Sequence, residues 1–171
     1  MPTYLTQHRL AVHQVVVAVN SIKKPSPTKM INILVLCTGN SCRSQIAHGY
    51  LEHFTDQRKV KIYSAGIETH GVNPRAITTM YEDGIDILHH TSNNINEYTA
   101  IDFDFVITVC DNAKERCPFF PSKAKKIHCD FPDPAKAIGT EIEIIAQFRK
   151  VREMIKDYSK NFVKNNLTLL T

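Results

Sequence analysis

Residues 31–44 read INILVLCTGNSCRS, a nearly unbroken apolar run that ends on a cysteine and turns at once through glycine and asparagine. Such a run reads as a parallel strand buried on both faces, because a strand with one wet side alternates polar and apolar residues. SQIAHGYLEHF follows as a helix and VKIYSAG as a second strand. Strand, loop, helix and strand then make one right-handed βαβ unit.

The rest of the chain extends that unit. In NPRAITTMYEDG, Asn73 can cap a helix, Pro74 suits its first position and Gly84 can take the left-handed conformation that ends it. FDFVITV reads as a third strand running into Cys110, and KKIHC as a short fourth before the FPDP turn. Ile145, Phe148, Val151, Ile155, Tyr158 and Phe162 recur every three or four residues, which predicts a final helix with Arg149, Lys150, Arg152, Glu153 and Lys156 outward. The expected architecture is a doubly wound open α/β sheet of about four parallel strands with helices on both faces. The 171 residues, 43% of them hydrophobic, suffice for one such domain over residues 31–171. Residues 1–30 hold no Asp or Glu and end in KKPSPTK, Met30, so they are expected to be a flexible or loosely docked extension with Met30 a candidate functional start. VVVAV is too short for a signal-peptide core.

Twenty-one Lys and Arg against seventeen Asp and Glu give a net charge of +4, which suits a small anionic ligand. No basic stripe interleaved with aromatics is present, so nucleic acid is not an expected partner. No apolar stretch approaches the roughly 20 residues that span a bilayer, so no membrane association is expected. Five cysteines cannot all pair, and free thiols point to a reducing compartment, the cytoplasm.

Cys37 stands at the carboxyl end of the first strand, the rim where open parallel sheets bind ligands. A loop wrapped on an oxyanion there can aim its backbone N–H groups inward, and the following helix adds roughly half a positive charge. Arg43 offers a planar fork for two oxygens. The candidate oxyanion-binding residues are Thr38, Gly39, Asn40, Ser41, Cys42, Arg43 and Ser44, with Cys42 contributing its backbone and its side chain turned away. The same donors favour a thiolate, so Cys37 is expected to ionise below the free-cysteine value of about 8.5 and act as a nucleophile. The competing reading makes Cys37 a small hydrophobe that closes a strand.

LCTGNSCRSQIAHG, YSAGIETHGVNP, VITVC with another cysteine seven positions on, and FPDPA resemble the thioredoxin-coupled arsenate reductases, in order, over about residues 31–160. Those enzymes share a fold and loop with the low-molecular-weight tyrosine phosphatases. The resemblance implies that Cys37 attacks arsenate held by the loop and Arg43 while Asp133, stiffened between two prolines, protonates the departing oxygen; Asp130 is the weaker candidate for that acid. It implies that Cys110 then attacks Cys37, releasing arsenite, and that Cys117 attacks Cys110 to give a disulfide that thioredoxin reduces. Seven residues of helix would hold Cys110 and Cys117 about 10 Å apart, beyond the roughly 4.4 to 6.8 Å of a disulfide, so residues 111–118 are expected to loosen on oxidation. A role in arsenic detoxification, a monomer and no cofactor complete that expectation.

The alternative is a low-molecular-weight tyrosine phosphatase that hydrolyses phosphate monoesters through a Cys37 phospho-enzyme. Gln45 stands where those enzymes usually carry proline, and DPAKA lacks their aromatic pair, which favours the reductase. Some members of the resembling family hold potassium through Asn, Glu, Ser and Asp; Asn40 and Ser64 are kept here, but His48 and Asn93 stand at the acidic positions. Little potassium effect is therefore expected. The spacing of Cys110, Cys117, His128 and Cys129 is not that of a zinc site, Cys129 has no implied role, and His70 and the other histidines read as loop or surface residues.

Overall fold

β1 (Ile31–Cys37) lies inside a four-stranded sheet, flanked by β2 (Val60–Gly66) and β3 (Phe105–Thr108), with β4 (Lys125–His128) beyond β3; every neighbouring pair is parallel. The structure, a computed structural model, describes residues 29–110 and 123–167. Ile33 through Leu36 are buried, as the apolar run requires of an inner strand. Their side chains alternate, Ile33 and Val35 entering one core cluster and Leu34 and Leu36 the other.

Helices α1 (Arg43–Phe54), α2 (Pro74–Glu82) and α3 (Glu141–Asn166) all feed the first cluster through Ile46, Tyr50, Met80, Phe148, Val151 and Ile155. On the second face, the covering among the described residues is the 3-10 turn Ile95–Tyr98 together with Ile101 and Phe103. The chain thus returns from β2 to β3 across that face, so the order reverses at β1, with β2 added on one side of it and β3 on the other. A crevice opens at this switch point, beyond the ends of β1 and β3.

The caps fall where the residues require. The Asn73 side chain accepts from the Arg75 N–H at 2.9 Å, Pro74 opens α2 and Gly84 follows its end at φ 79°. Thr140 and Glu143 form a capping box at the start of α3. Two charged residues expected to face water are instead pinned to α2: Arg152 donates to the Thr79 carbonyl at 2.7 Å, and Lys156 binds Asp83 at 2.7 Å. α3 runs past α2 at close range, so its flank meets the end of that helix.

Residues 1–28 and the Cys117 thiol lie outside the described residues, as do residues 111–118. No helix among the described residues is long and apolar enough to cross a membrane.

Candidate active site

The loop after β1 has all its carbonyls turned outward. Thr38 O accepts from Glu68 N–H, Gly39 O from His70 N–H and Ser41 O from Asn73 N–H at 2.9–3.1 Å, while Asn40 O accepts from Gln45 Nε2 at 3.0 Å and Cys42 O from Ile46 N–H at 3.0 Å. In a trans peptide the C=O and the next N–H point in opposite directions, so the N–H groups of residues 39–43 face the other way, into the loop. α1 begins there without a side-chain cap, and its unpaired first-turn N–H groups add to the same donor set.

Asn40 makes the turn at φ 45°, a left-handed conformation that asparagine tolerates. Its side chain locks the turn by donating to Ser44 Oγ at 2.9 Å and accepting from Asn93 N–H at 2.8 Å. Asn40 and Ser44 are fully buried behind the loop. Thr38, Gly39, Ser41, Cys42 and Arg43 line a cavity of about 230 Å³ with Cys37 and Asp133.

Arg43 reaches across the mouth, donating to the Phe131 carbonyl at 3.0 Å and to Asp133 Oδ2 at 2.9 Å. Its Nε is buried without a hydrogen-bond partner. Asp133 also caps the short 3-10 turn that follows it, through Ala135 N–H. Asp130 is exposed and does not line the cavity.

The sheet register puts two sulfurs side by side. Cys37 pairs with Gly66 at the end of β1, and Val109 N–H donates to Leu36 O at 3.0 Å, which carries Cys110 to the neighbouring strand end. Cys37 and Cys110 are both buried in one core cluster, and Thr38 Oγ1 lies 3.4 Å from Cys110 Sγ. Hydrogen bonding with the neighbouring Cys110 first, and then burial, raise the Cys37 thiol well above its ordinary range, while Arg43 and the Gly39 N–H pull it down. The direction is opposite to the expected low-lying thiolate, and its main cause is the neighbouring Cys110. Burial pushes the Cys42 thiol up to about 12, and its side chain joins the core. Cys129 is half-buried, its thiol raised by burial and then by Asp130.

Three contributors escape the sequence reading. Gly66 lies so close to the loop that a Cβ would meet Glu68 O at 2.2 Å and Asn40 N at 2.8 Å. His70 lines the cavity, its ring over Gly39. Gln45 donates to Asn40 O, Asn40 Oδ1 and Thr91 O at 3.0, 3.1 and 3.0 Å, tying the loop to the chain beyond α2. The departure from proline at that position was visible in the sequence, and a side-chain amide does there what proline cannot.

Fold and loop together define a phosphatase-type oxyanion-loop protein. Residues 32–168 match the family Low molecular weight phosphotyrosine protein phosphatase, and the chain belongs to it. Among its relatives, the Oceanobacillus iheyensis protein named arsenate reductase is 48% identical over 132 residues, covering 77% of this chain and 94% of that one. Its Bacillus subtilis namesake is 46% identical over the same shares. A solved arsenate reductase in the phosphate-binding state superposes with a TM-score of 0.66 at 32% identity, covering 79% of this chain and 98% of that one. The Erwinia amylovora tyrosine phosphatase AmsI, 20% identical with a TM-score of 0.65 over 79% of this chain and 92% of its own, shares the fold.

Proposed function

We propose that the chain reduces arsenate to arsenite by a thiol relay. The observation that carries this reading is the placement of Cys110 at the strand end next to Cys37, both buried in one cluster, with Cys110 Sγ 3.4 Å from Thr38 Oγ1. A hydrolase needs water behind its covalent intermediate, whereas a reductase needs a second thiol within reach of the first. The relatives named arsenate reductase support the choice of substrate.

In this reading Arg43 and the loop N–H groups hold arsenate; the Cys37 thiol gives up its proton to the Asp133 carboxylate as its sulfur attacks arsenic, and Asp133 passes that proton to the departing oxygen, which leaves as water. The Cys110 thiolate then attacks the Cys37 sulfur. The sulfur–arsenic bond breaks with its electron pair going to arsenic, so As(V) becomes As(III) and two thiols become the Cys37–Cys110 disulfide. Cys117 attacks Cys110 and frees Cys37, and a dithiol reductant of the thioredoxin class restores the pair. We place the reaction in the reducing cytoplasm and in a monomer, with a role in arsenic detoxification. Weak hydrolysis of aryl phosphates accompanies it, because the first step is common to both chemistries.

Disulfide mapping after arsenate addition without reductant tests the relay. Cys117→Ser should consume about one equivalent of arsenate and stop with Cys37 linked to Cys110, and Cys110→Ser should release no arsenite. Undiminished turnover by Cys110→Ser would overturn the reading and favour a hydrolase.

A further inference from the structure

A second cavity, of about 200 Å³, is lined by His48, Glu52, Ser64, His90 and Asn93 among others. His48 and Glu52 stand four residues apart on α1 and share one face, and His90 reaches them from the chain beyond α2. One donor atom from each lies within 4.8 Å of the others. His48 Nε2 is 3.2 Å from Glu52 Oε1, and His90 Nε2 is 3.6 Å from Glu52 Oε2. Tetrahedral bonds of about 2.0 to 2.1 Å set zinc ligands about 3.3 Å apart, so these separations fit one ion with small movements.

The surrounding hydrogen bonds fix which ring atoms face the cluster. The three acceptors around Gln45 Nε2 identify the amide nitrogen, so Gln45 Oε1 is an acceptor and His90 Nδ1, 3.0 Å away, must donate to it. His90 Nε2 therefore points at Glu52, and it has no hydrogen-bond partner although the side chain is only 4% exposed. His48 Nδ1 is likewise held, 3.0 Å from Ser64 Oγ. Metal-binding histidines are oriented in this manner, by a partner on the nitrogen away from the ion. Glu52, at 29% side-chain exposure, leaves a path from solvent.

We propose that His48, Glu52 and His90 bind one divalent transition-metal ion of the zinc type through two imidazole nitrogens and a carboxylate oxygen, with a fourth position open to water. Two imidazoles select such an ion over alkali and alkaline-earth cations, which prefer oxygen cages. Of these two histidines, His90 lies in a loop as expected but its side chain is buried, and His48 stands on α1. The site also touches the active-site loop: His90 holds Gln45, and Gln45 holds Asn40 at its φ of 45°. An ion that fixes His90 thereby stiffens the turn beneath Cys37.

Cobalt(II) titrated into the full-length chain, reduced with a phosphine and followed by visible absorption, tests this independently of the arsenate reading. The result expected is one equivalent bound with nitrogen–oxygen ligand-field bands, no intense thiolate charge transfer, and affinity at least about tenfold weaker in Glu52→Gln and in His90→Gln. The melting temperature should rise with cobalt in the native chain and not in Glu52→Gln. No saturable binding, a thiolate spectrum, or equal affinity in a Glu52→Gln variant that keeps the native circular dichroism would each overturn the proposal.

Discussion

Single residues set the active-site loop through the backbone space they leave. Gly66 ends β2 against the loop, and the atoms a Cβ would strike, Glu68 O, Asn40 N and Thr38 O, are all backbone and cannot swing aside. Gly66→Ala must therefore displace the loop. We expect kcat/KM for arsenate to fall by about 100-fold or more, since misplacement by about 1 Å has that effect, with far-ultraviolet circular dichroism retained; unaltered kinetics would contradict the close approach. Nothing in the string VKIYSAG announces this, because the constraint comes from the turn at Glu68 just beyond it and from the loop at Thr38 and Asn40, more than twenty residues earlier in sequence. That a tight, cavity-lining loop follows β1 was readable, since the apolar run stops at a cysteine and glycine and asparagine permit the turn. The proton on Cys37 was not, because its partner comes from another strand.

At the level of helices, α2 and α3 are joined by Arg149 to Glu82, Arg75 to Glu141 and Lys156 to Asp83. Asp83 is the best sheltered of the three acids. Burial alone would raise its carboxyl, but hydrogen bonds from Lys156 and Tyr50 outweigh it and hold the group below the ordinary carboxylate range. A depressed folded value contributes stability that is present above the unfolded value near about 4 and is lost as pH falls through the folded one. Asp83→Asn should cost about 1 kcal/mol at neutral pH, and the difference from the native chain should shrink below about pH 4 in urea titrations. A difference independent of pH would remove the ion pair from the account. Helix positions followed from apolar spacing and caps, and α2 runs from Pro74 as Asn73 and Gly84 dictate. The outward reading of Arg152 and Lys156 failed because periodicity separates a buried stripe from its flanks without saying what lies beside them.

Across the molecule, the strand order β2-β1-β3-β4 does what no local segment can, setting Cys37 beside Cys110, 73 positions apart in sequence. Removing the second sulfur should release the proton of the first. In Cys110→Ala, thiolate absorbance on titration should show Cys37 ionising at lower pH than in the native chain; an unchanged curve would mean that burial, and not Cys110, holds the thiol up. The sheet and its rim were legible from apolar runs and turn residues, whereas the His48, Glu52 and His90 cluster was not, since its members join only when the chain beyond α2 folds onto α1. The outward carbonyls of residues 38–42 have a further effect on how this protein can change over generations. In the proposed reading, anion recognition rests on peptide groups, which every amino acid except proline supplies. Drift at Thr38 or Ser41 can recolour the mouth of the site while the grip on a tetrahedral guest is inherited intact.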